Sequence, residues 1–311
     1  MPRRPNANIP EKVRLEILEL LENFRKKLKN PDLRTKVLAL VPAFHLLRDL
    51  GSSLIPQQEA SAARERILLY FRKYPFVIIH GDELMVISGI QDWPRRIREL
   101  RREYGWAIAS GVTLQEMSRE NDVLIEHFST DPLRPEEYIL LSPEQDRDAA
   151  LRWRIANDIR RRKSGIRQKI LDFLLENVGR PVTGEELRYA ANDKTEWARR
   201  VRELRTELGW PIATRNTGRP DLGIGMYILE NDRQCPAHDR YIPDPIRRRV
   251  LVRDNYTCTS CGWSHEQLNA SDPRHLEIHH IKHHVKGGAN TEENLLTLCT
   301  ICHDDIHRRN K

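Results

Sequence analysis

The sequence predicts a multidomain α+β chain: N-terminal helices, one helix-and-strand unit used twice, and a compact C-terminal segment rich in thiols and imidazoles. Three observations carry this. A motif beginning at Trp93 recurs at Trp197, four of the five cysteines fall in two CxxC pairs, and apolar residues repeat at helical intervals near the N-terminus. At 311 residues and 36.5 kDa the chain exceeds what one core organises, so two to four domains are expected.

Composition narrows the function classes. Hydrophobic residues at 39% and charged residues at 31% suit globular domains joined by polar helices. The longest apolar stretch, Val37 to Phe44, is too short to cross a bilayer and contains a proline, and the opening Met-Pro-Arg-Arg-Pro lacks the apolar core of a secretory signal. Membrane and secreted readings are set aside. Lysine and arginine total 52 against 45 acidic residues, a net +7 that hints mildly at an anionic partner. Paired cysteines in a chain of this kind point to metal in a reducing, cytoplasmic compartment rather than to disulfides.

The first region, 1–58, holds one or two amphipathic helices across 11–50, with Val13, Ile17, Leu20, Leu21, Phe24 and Leu28 on one face and Pro31 and Pro42 as punctuation. That apolar face either pairs two copies of the chain as a homodimer or caps the next unit.

The repeat covers 59–142 and 164–232. Trp93 to Ala109 reads WPRRIRELRREYGWAIA and Trp197 to Ala213 reads WARRVRELRTELGWPIA, an offset of 104. Trp93, Ile97, Leu100 and Tyr104 form a helical core stripe, which Trp197, Val201, Leu204 and Leu208 repeat. Thr183-Gly184-Glu185-Glu186 has the spacing of a capping box and announces the preceding short helix. Helix, helix, turn, Arg-rich helix, strand, loop, strand is the order of a winged helix-turn-helix, so double-stranded DNA is the expected partner. The candidate DNA contacts are Arg95, Arg96, Arg98, Arg199, Arg200 and Arg202 on the third helices, with Arg215 and Arg219 on the second loop. An Arg-rich face can also be plain solvated surface; its occurrence twice, each time before a wing, favours DNA. The tryptophans Trp93, Trp106, Trp197 and Trp210 read as core by their spacing. Between the copies, 143–163 reads as a charged helical linker, and Ile242-Pro243-Asp244-Pro245 reads as a hinge before the last segment.

The last segment, 242–311, carries the sharpest signal. Cys258, Cys261, Cys299 and Cys302 have zinc-knuckle spacing and suit one structural Zn²⁺, although the 37 residues between the pairs exceed ordinary ribbon spacing and must hold structure of their own. Cys235 is left without a role. His279 and His280 are neighbours and so point to opposite faces of a strand, whereas His303 and His307 share one helical face and can clasp one ion. Gly287-Gly288 supplies a turn, and His265 and His275 read as surface histidines.

The run LEIHHIKHHVKGGANTEENLLTLCTICHDDIH resembles the HNH (His-Asn-His) endonucleases of the ββα-metal fold, with similarity extending to colicin-type nucleases. The resemblance covers the last quarter of the chain. It implies a metal-dependent DNA endonuclease in which His280 is the general base, Asn294 holds the metal loop and orients His280, and His279, His303 and His307 surround a catalytic divalent ion: Mg²⁺ first, with Mn²⁺, Ni²⁺ and Zn²⁺ as alternatives. His283 and His284 match no motif position. Winged-helix readers joined to such a nuclease resemble bacterial restriction enzymes, some of which cut only methylated DNA, and N6-methyladenine enters by that analogy alone. A phage or homing-type nuclease, or a non-catalytic zinc-stapled regulator, are the alternative readings.

Overall fold

The computed structural model describes residues 10–123, 133–235, 240–267, 272–282 and 287–309. The chain parts into two compact units, one of 1–108 with 136–147, the other of 109–135 with 148–311. No helix among the described residues is long and apolar enough to cross a membrane.

The first unit opens with α1 (Pro10–Lys27) packed on α2 (Leu33–Ser53). Asp32 caps α2, its carboxylate accepting from the Thr35 amide at 2.8 Å. Pro31 ends the turn as expected. Pro42 does not punctuate: it sits inside α2 on an exposed side, where the loss of one backbone donor leaves the helix continuous. Along the chain then follow α3 (Ala63–Lys73), β1 (Ile79–His80), α4 (Gly81–Ser88), α5 (Trp93–Arg102), β2 (Trp106–Ser110), α6 (Gly111–Arg119), which belongs to the second unit, and β3 (Glu137–Gln145), with the three strands ordered β1-β3-β2. Ile67, Phe71, Leu84, Ile97, Leu100 and Leu140 meet in one core, so the stripe read from the sequence of α5 is its buried face.

The second copy repeats this order as α8 (Ile166–Leu175), β4 (Val182–Thr183), α9 (Gly184–Ala190), α10 (Trp197–Thr206), β5 (Ile212–Thr214) and β6 (Met226–Leu229), with strand order β4-β6-β5. The capping box forms: the Thr183 hydroxyl accepts from the Glu186 amide at 3.2 Å, and the Glu186 carboxylate accepts from the Thr183 amide at 2.7 Å. Trp197 is fully buried and meets Tyr227 edge-on at 5.9 Å.

Two features of the second unit differ from expectation. The segment read as a linker contains α7 (Ala149–Arg160), which packs on α8 and α9 with Trp153, Ala156 and Ile159 buried and Arg152 paired to Glu186 at 2.9 Å. Its charge pattern belongs to the outer face, and periodicity alone does not show what lies on the inner one. The place of the first wing is taken largely by α6, which packs against α9 and α10; Ser110 before it donates to Glu185 at 2.6 Å.

The proline-rich stretch read as a hinge is a buried clamp. Ile242 is fully buried and Asp244 nearly so. Asp244 opens α11 (Asp244–Arg253) and accepts from Arg205 of α10, with Nε at 3.0 Å and Nη2 closer still. Arg205 also reaches Asp122 at 3.3 Å, which in turn accepts from the Tyr227 hydroxyl at 2.9 Å. Arg248 completes the clamp by donating to the carbonyls of Asn121, at 2.9 Å, and Asn216, at 3.2 Å. Two prolines break local helix but say nothing of whether the chain beside them is covered; a buried cation with two carboxylate partners covers it here.

Burial pushes the Asp122 carboxyl up from 3.8 to about 6, against the attraction of Arg205. A raised folded pKa means that this group's contribution to stability is fully present below 3.8 and is lost as pH rises through about 6. Asp122→Asn should therefore remove a pH-dependent loss: the melting temperature of the native chain relative to the variant falls from pH 4 to pH 6.5. A difference that stays level across this range contradicts the assignment.

Candidate active site

The C-terminal segment builds its site on a two-stranded antiparallel hairpin and one helix: β7 (Leu276–His280), β8 (Leu295–Cys299) and α12 (Thr300–Arg309). Register pairs Leu276 with Cys299 and His280 with Leu295. Ile278 and Leu295 pack with Ile242, Val250 and Leu251, which seats the hairpin on α11.

The two CxxC pairs converge. All four sulfurs lie within 4.8 Å of one another, with Cys261 and Cys299 Sγ atoms 3.7 Å apart. A tetrahedral ion at a Zn–S distance of about 2.3 Å separates its sulfurs by roughly 3.8 Å, so the donor set fits a structural zinc. The knuckle is shaped by backbone: Cys258 N–H donates to the Trp263 carbonyl at 2.8 Å, and Gly262 turns back to Cys258 with φ at +75°, a left-handed conformation that favours glycine. Trp263 is buried beside Cys258 and Cys299, and its Nε1–H donates to Asp272 at 3.0 Å. Burial pushes the Cys299 thiol up to about 12; at Cys258 burial acts the same way, but backbone N–H groups of Cys299, Cys261 and Ser260 bring it down to about 7. Cys235 lies outside the cluster, against Gly209.

Cys299 ends β8 and Cys302 sits in the first turn of α12, so the thiol cluster fixes the helix that presents His303 and His307 one turn apart. Their Nε2 atoms face each other at 3.0 Å, and His279 from β7 brings its ring centre to 5.0 Å from His303 and 5.1 Å from His307. One nitrogen from each of the three rings lies within 4.8 Å of the others. Nitrogens converging on a common point, with backs turned to protein, suit a shared cation. His279 and His303 are almost fully buried.

Glu277 is the residue that sequence reading missed. Its carboxylate accepts from His303 Nδ1 at 2.5 Å and from His275 Nε2 at 3.3 Å. Burial opposes its ionisation, yet these two hydrogen bonds outweigh burial and hold the carboxyl far below the usual carboxylate range. With Nδ1 donating to Glu277, His303 must direct Nε2 toward the cluster, the arrangement by which a carboxylate orients a metal-binding imidazole. The signal was present in the sequence as strand alternation: His275, Glu277 and His279 share one face. His275 is accordingly buried rather than on the surface. So is His265, whose side chain is 5% exposed and lies 3.6 Å from Glu230; both were covered by the second repeat, which no pattern in their neighbourhood reveals.

His280 points the other way and is buried. Its Nε2 donates to Asn290 Oδ1 at 2.8 Å, and Asn290 is itself held by donating Nδ2 to the Tyr241 carbonyl at 3.0 Å. An amide oxygen only accepts, so a proton on His280 Nε2 is the one aimed at Asn290. Asn294 makes the loop-holding contacts expected of it. Its side chain accepts from Lys282 N–H at 2.9 Å and donates to the carbonyls of Lys282, at 3.0 Å, and Ala289, at 2.9 Å, stapling the loop between the strands. The orienting contact to His280 comes from Asn290 instead. Gly288 permits the staple, because a Cβ there would lie 1.8 Å from the Lys282 carbonyl oxygen. His283 and His284 lie outside the described residues.

The arginines divide. Arg98 and Arg215 are exposed, as is Arg95, which pairs with Glu99 at 3.2 Å; Arg96 also holds Glu99 and Arg200 holds Glu203, each at 2.7 Å or less. Arg199 is 47% exposed in its side chain beside Glu196 and Glu203, and Arg202 is 38% exposed and paired with Glu120 at 3.0 Å. Arg219 is buried between Asp221, at 2.7 Å, and Glu230, at 3.0 Å, so it presents no guanidinium to a DNA backbone. Tip position in sequence suggested exposure; two carboxylates close by in space decided otherwise.

Glu277→Ala should weaken divalent-ion binding at the imidazole cluster by about 10–100-fold. Calorimetric titration with Ni²⁺ or Zn²⁺ checks this on protein whose thiol site is already filled, and an unchanged affinity contradicts the orienting role.

Comparison with known proteins agrees with this geometry. Residues 258–309 match the HNH endonuclease family model, and residues 64–141 and 167–230 match the model of the KpnI N-terminal domain, one segment for each copy of the repeat. The Type IV methyl-directed restriction enzyme EcoKMcrA of Escherichia coli (strain K12) is 35% identical over 69 residues, which is 22% of this chain. The chain thus spans about a quarter, 24%, of that relative's length. No solved structure matches. The chain therefore joins an HNH endonuclease domain to a doubled segment of the kind that opens KpnI.

Proposed function

We propose that the protein is a bacterial restriction-type DNA endonuclease that hydrolyses phosphodiester bonds at a site chosen by sequence or by base modification. The observation that carries this is the convergence of His279, His303 and His307 within 4.8 Å, with His280 held by Asn290 on the opposite face of the same strand. A divalent ion bound by the three imidazoles supplies charge neutralisation at the phosphate oxygens. Three nitrogen donors weigh toward Mn²⁺, Ni²⁺ or Zn²⁺, while Mg²⁺ is the usual cellular partner of phosphate. His280 takes the proton of the attacking water, Asn290 orients its ring, Asn294 keeps the loop in place, and Glu277 aims His303. Zn²⁺ in the four-cysteine cluster fixes the helix without touching substrate. Four thiols fit a reducing cytoplasm.

The repeats are the DNA readers. Their order, helix, strand, two helices and two strands, suits a winged helix-turn-helix with α5 and α10 toward the major groove. Arg95, Arg98, Arg199, Arg202 and Arg215 are the contacts we retain; Arg96 and Arg200 act through their Glu partners, and Arg219 is structural. Modification dependence is favoured by the similarity to a relative that is a methyl-directed restriction enzyme. N6-methyladenine is one candidate mark. Duplex DNA has two strands and one three-imidazole cluster lies among the described residues of each chain, so paired cuts need either two active sites, as in a homodimer, or two visits.

The test is cleavage of unmethylated, adenine-methylated and cytosine-methylated plasmid in parallel with Mg²⁺ or Mn²⁺. His280→Ala should lower cleavage at least about 100-fold, the low end of what general base catalysis supplies. Intact DNA with the native chain, or equal cutting by the variant, overturns the enzyme reading; equal rates on all plasmids remove methyl dependence. In a binding assay, Arg199→Ala with Arg202→Ala should cost about 1–3 kcal/mol for each arginine that reads a base. A uniform loss on all sequences assigns them to phosphate, and unchanged affinity turns that helix face to solvent.

A further inference from the structure

The largest unexplained surface is apolar. Of the 21 large hydrophobic side chains exposed among the described residues, 11 lie between Leu15 and Leu54, so they form a patch on α1 and α2 rather than a scattered background. On α2, Leu33, Val37, Val41, Phe44 and Leu47 are 40–72% exposed and follow one another at helical intervals, all within about 120° of the helix circumference. On α1, Leu18 and Leu21 are about half exposed, while only Val13 and Ile17 are buried. A two-helix hairpin has too little interior to bury both of its apolar faces.

We propose that this face is the interface between two copies of the chain, each contributing α1 and α2 to a four-helix bundle. Two observations choose a second copy as the occupant. The first is charge. Exposed α1 carries Glu16, Glu19 and Glu22 and then ends in Arg25, Lys26 and Lys27. An antiparallel pair about a two-fold axis sets the acidic stretch of each copy beside the basic turn of the other, whereas a parallel pair stacks like on like. A two-fold interface must be complementary to itself, and this one is. The second is size. The 11 exposed side chains leave several hundred Å² of apolar surface in water, a large part of the about 800 Å² that each partner brings to a standard interface.

The interface is independent of any chemistry, but its consequence rests on the nuclease reading above: two linked copies bring two imidazole clusters to one duplex and convert a nick into a double-strand break. Sedimentation equilibrium of the full chain at micromolar concentration should give twice 36.5 kDa. Val41→Glu with Phe44→Glu, both exposed positions, should give a monomer with unchanged circular dichroism and melting of the remaining fold. On supercoiled plasmid the native protein should yield linear product, and the variant should accumulate nicked circles. A monomeric native chain, or a variant that stays dimeric, overturns the proposal. A native dimer that cuts no DNA supports the interface and overturns the nuclease reading instead.

Discussion

Four cysteine sulfurs gathered within 4.8 Å decide where α12 begins, and the imidazole cluster depends on that decision. Cys299 belongs to the end of a strand and Cys302 to the first turn of a helix, so the cluster sets the angle between the two elements. His303 and His307 then fall opposite His279 because one helical turn and one strand face are brought into register. A segment of this size has little apolar core of its own, and cross-linking through a tetrahedral ion is the common remedy.

Around that pin the polar groups are arranged in pairs that leave few choices. Glu277 accepts hydrogen bonds from His275 and His303, which directs the remaining nitrogen of His303; Asn290 accepts a hydrogen bond from His280, which fixes the orientation of that ring. Each catalytic candidate thus has its orientation set by an acceptor from elsewhere in the hairpin. The buried group of Arg205, Asp122 and Asp244 plays the same part on a larger scale. It ties the Arg-rich helix of the second repeat to the first helix of the C-terminal segment, so these two segments share one compact unit. Removing Arg205 leaves two buried carboxylates without their cation, a loss that costs about 3–5 kcal/mol.

Much of this was legible in the residues. Paired cysteines, adjacent histidines and histidines four apart are short-range patterns, and local geometry alone determines which face each side chain takes. The doubled stretch from Trp93 and Trp197 was legible for the same reason, since an internal copy reports a shared core. Glu277 was legible in principle from strand alternation, whereas Asn290 was not: it reaches His280 across a loop whose path depends on the Asn294 staple.

The sequence by itself determined the elements, the repeat, the thiol pairs and the identity of the three imidazoles, because each is written within about one turn or one strand of chain. Only the tertiary structure decided that the proline stretch is a clamp, that the charged connector is a packed helix, that Arg219, His265 and His275 are buried, and that the outer face of α1 and α2 is bare. Those outcomes turn on partners 11 residues away, as Glu230 is for Arg219, or 83, as Asp122 is for Arg205, and burial by another segment leaves no mark on local periodicity.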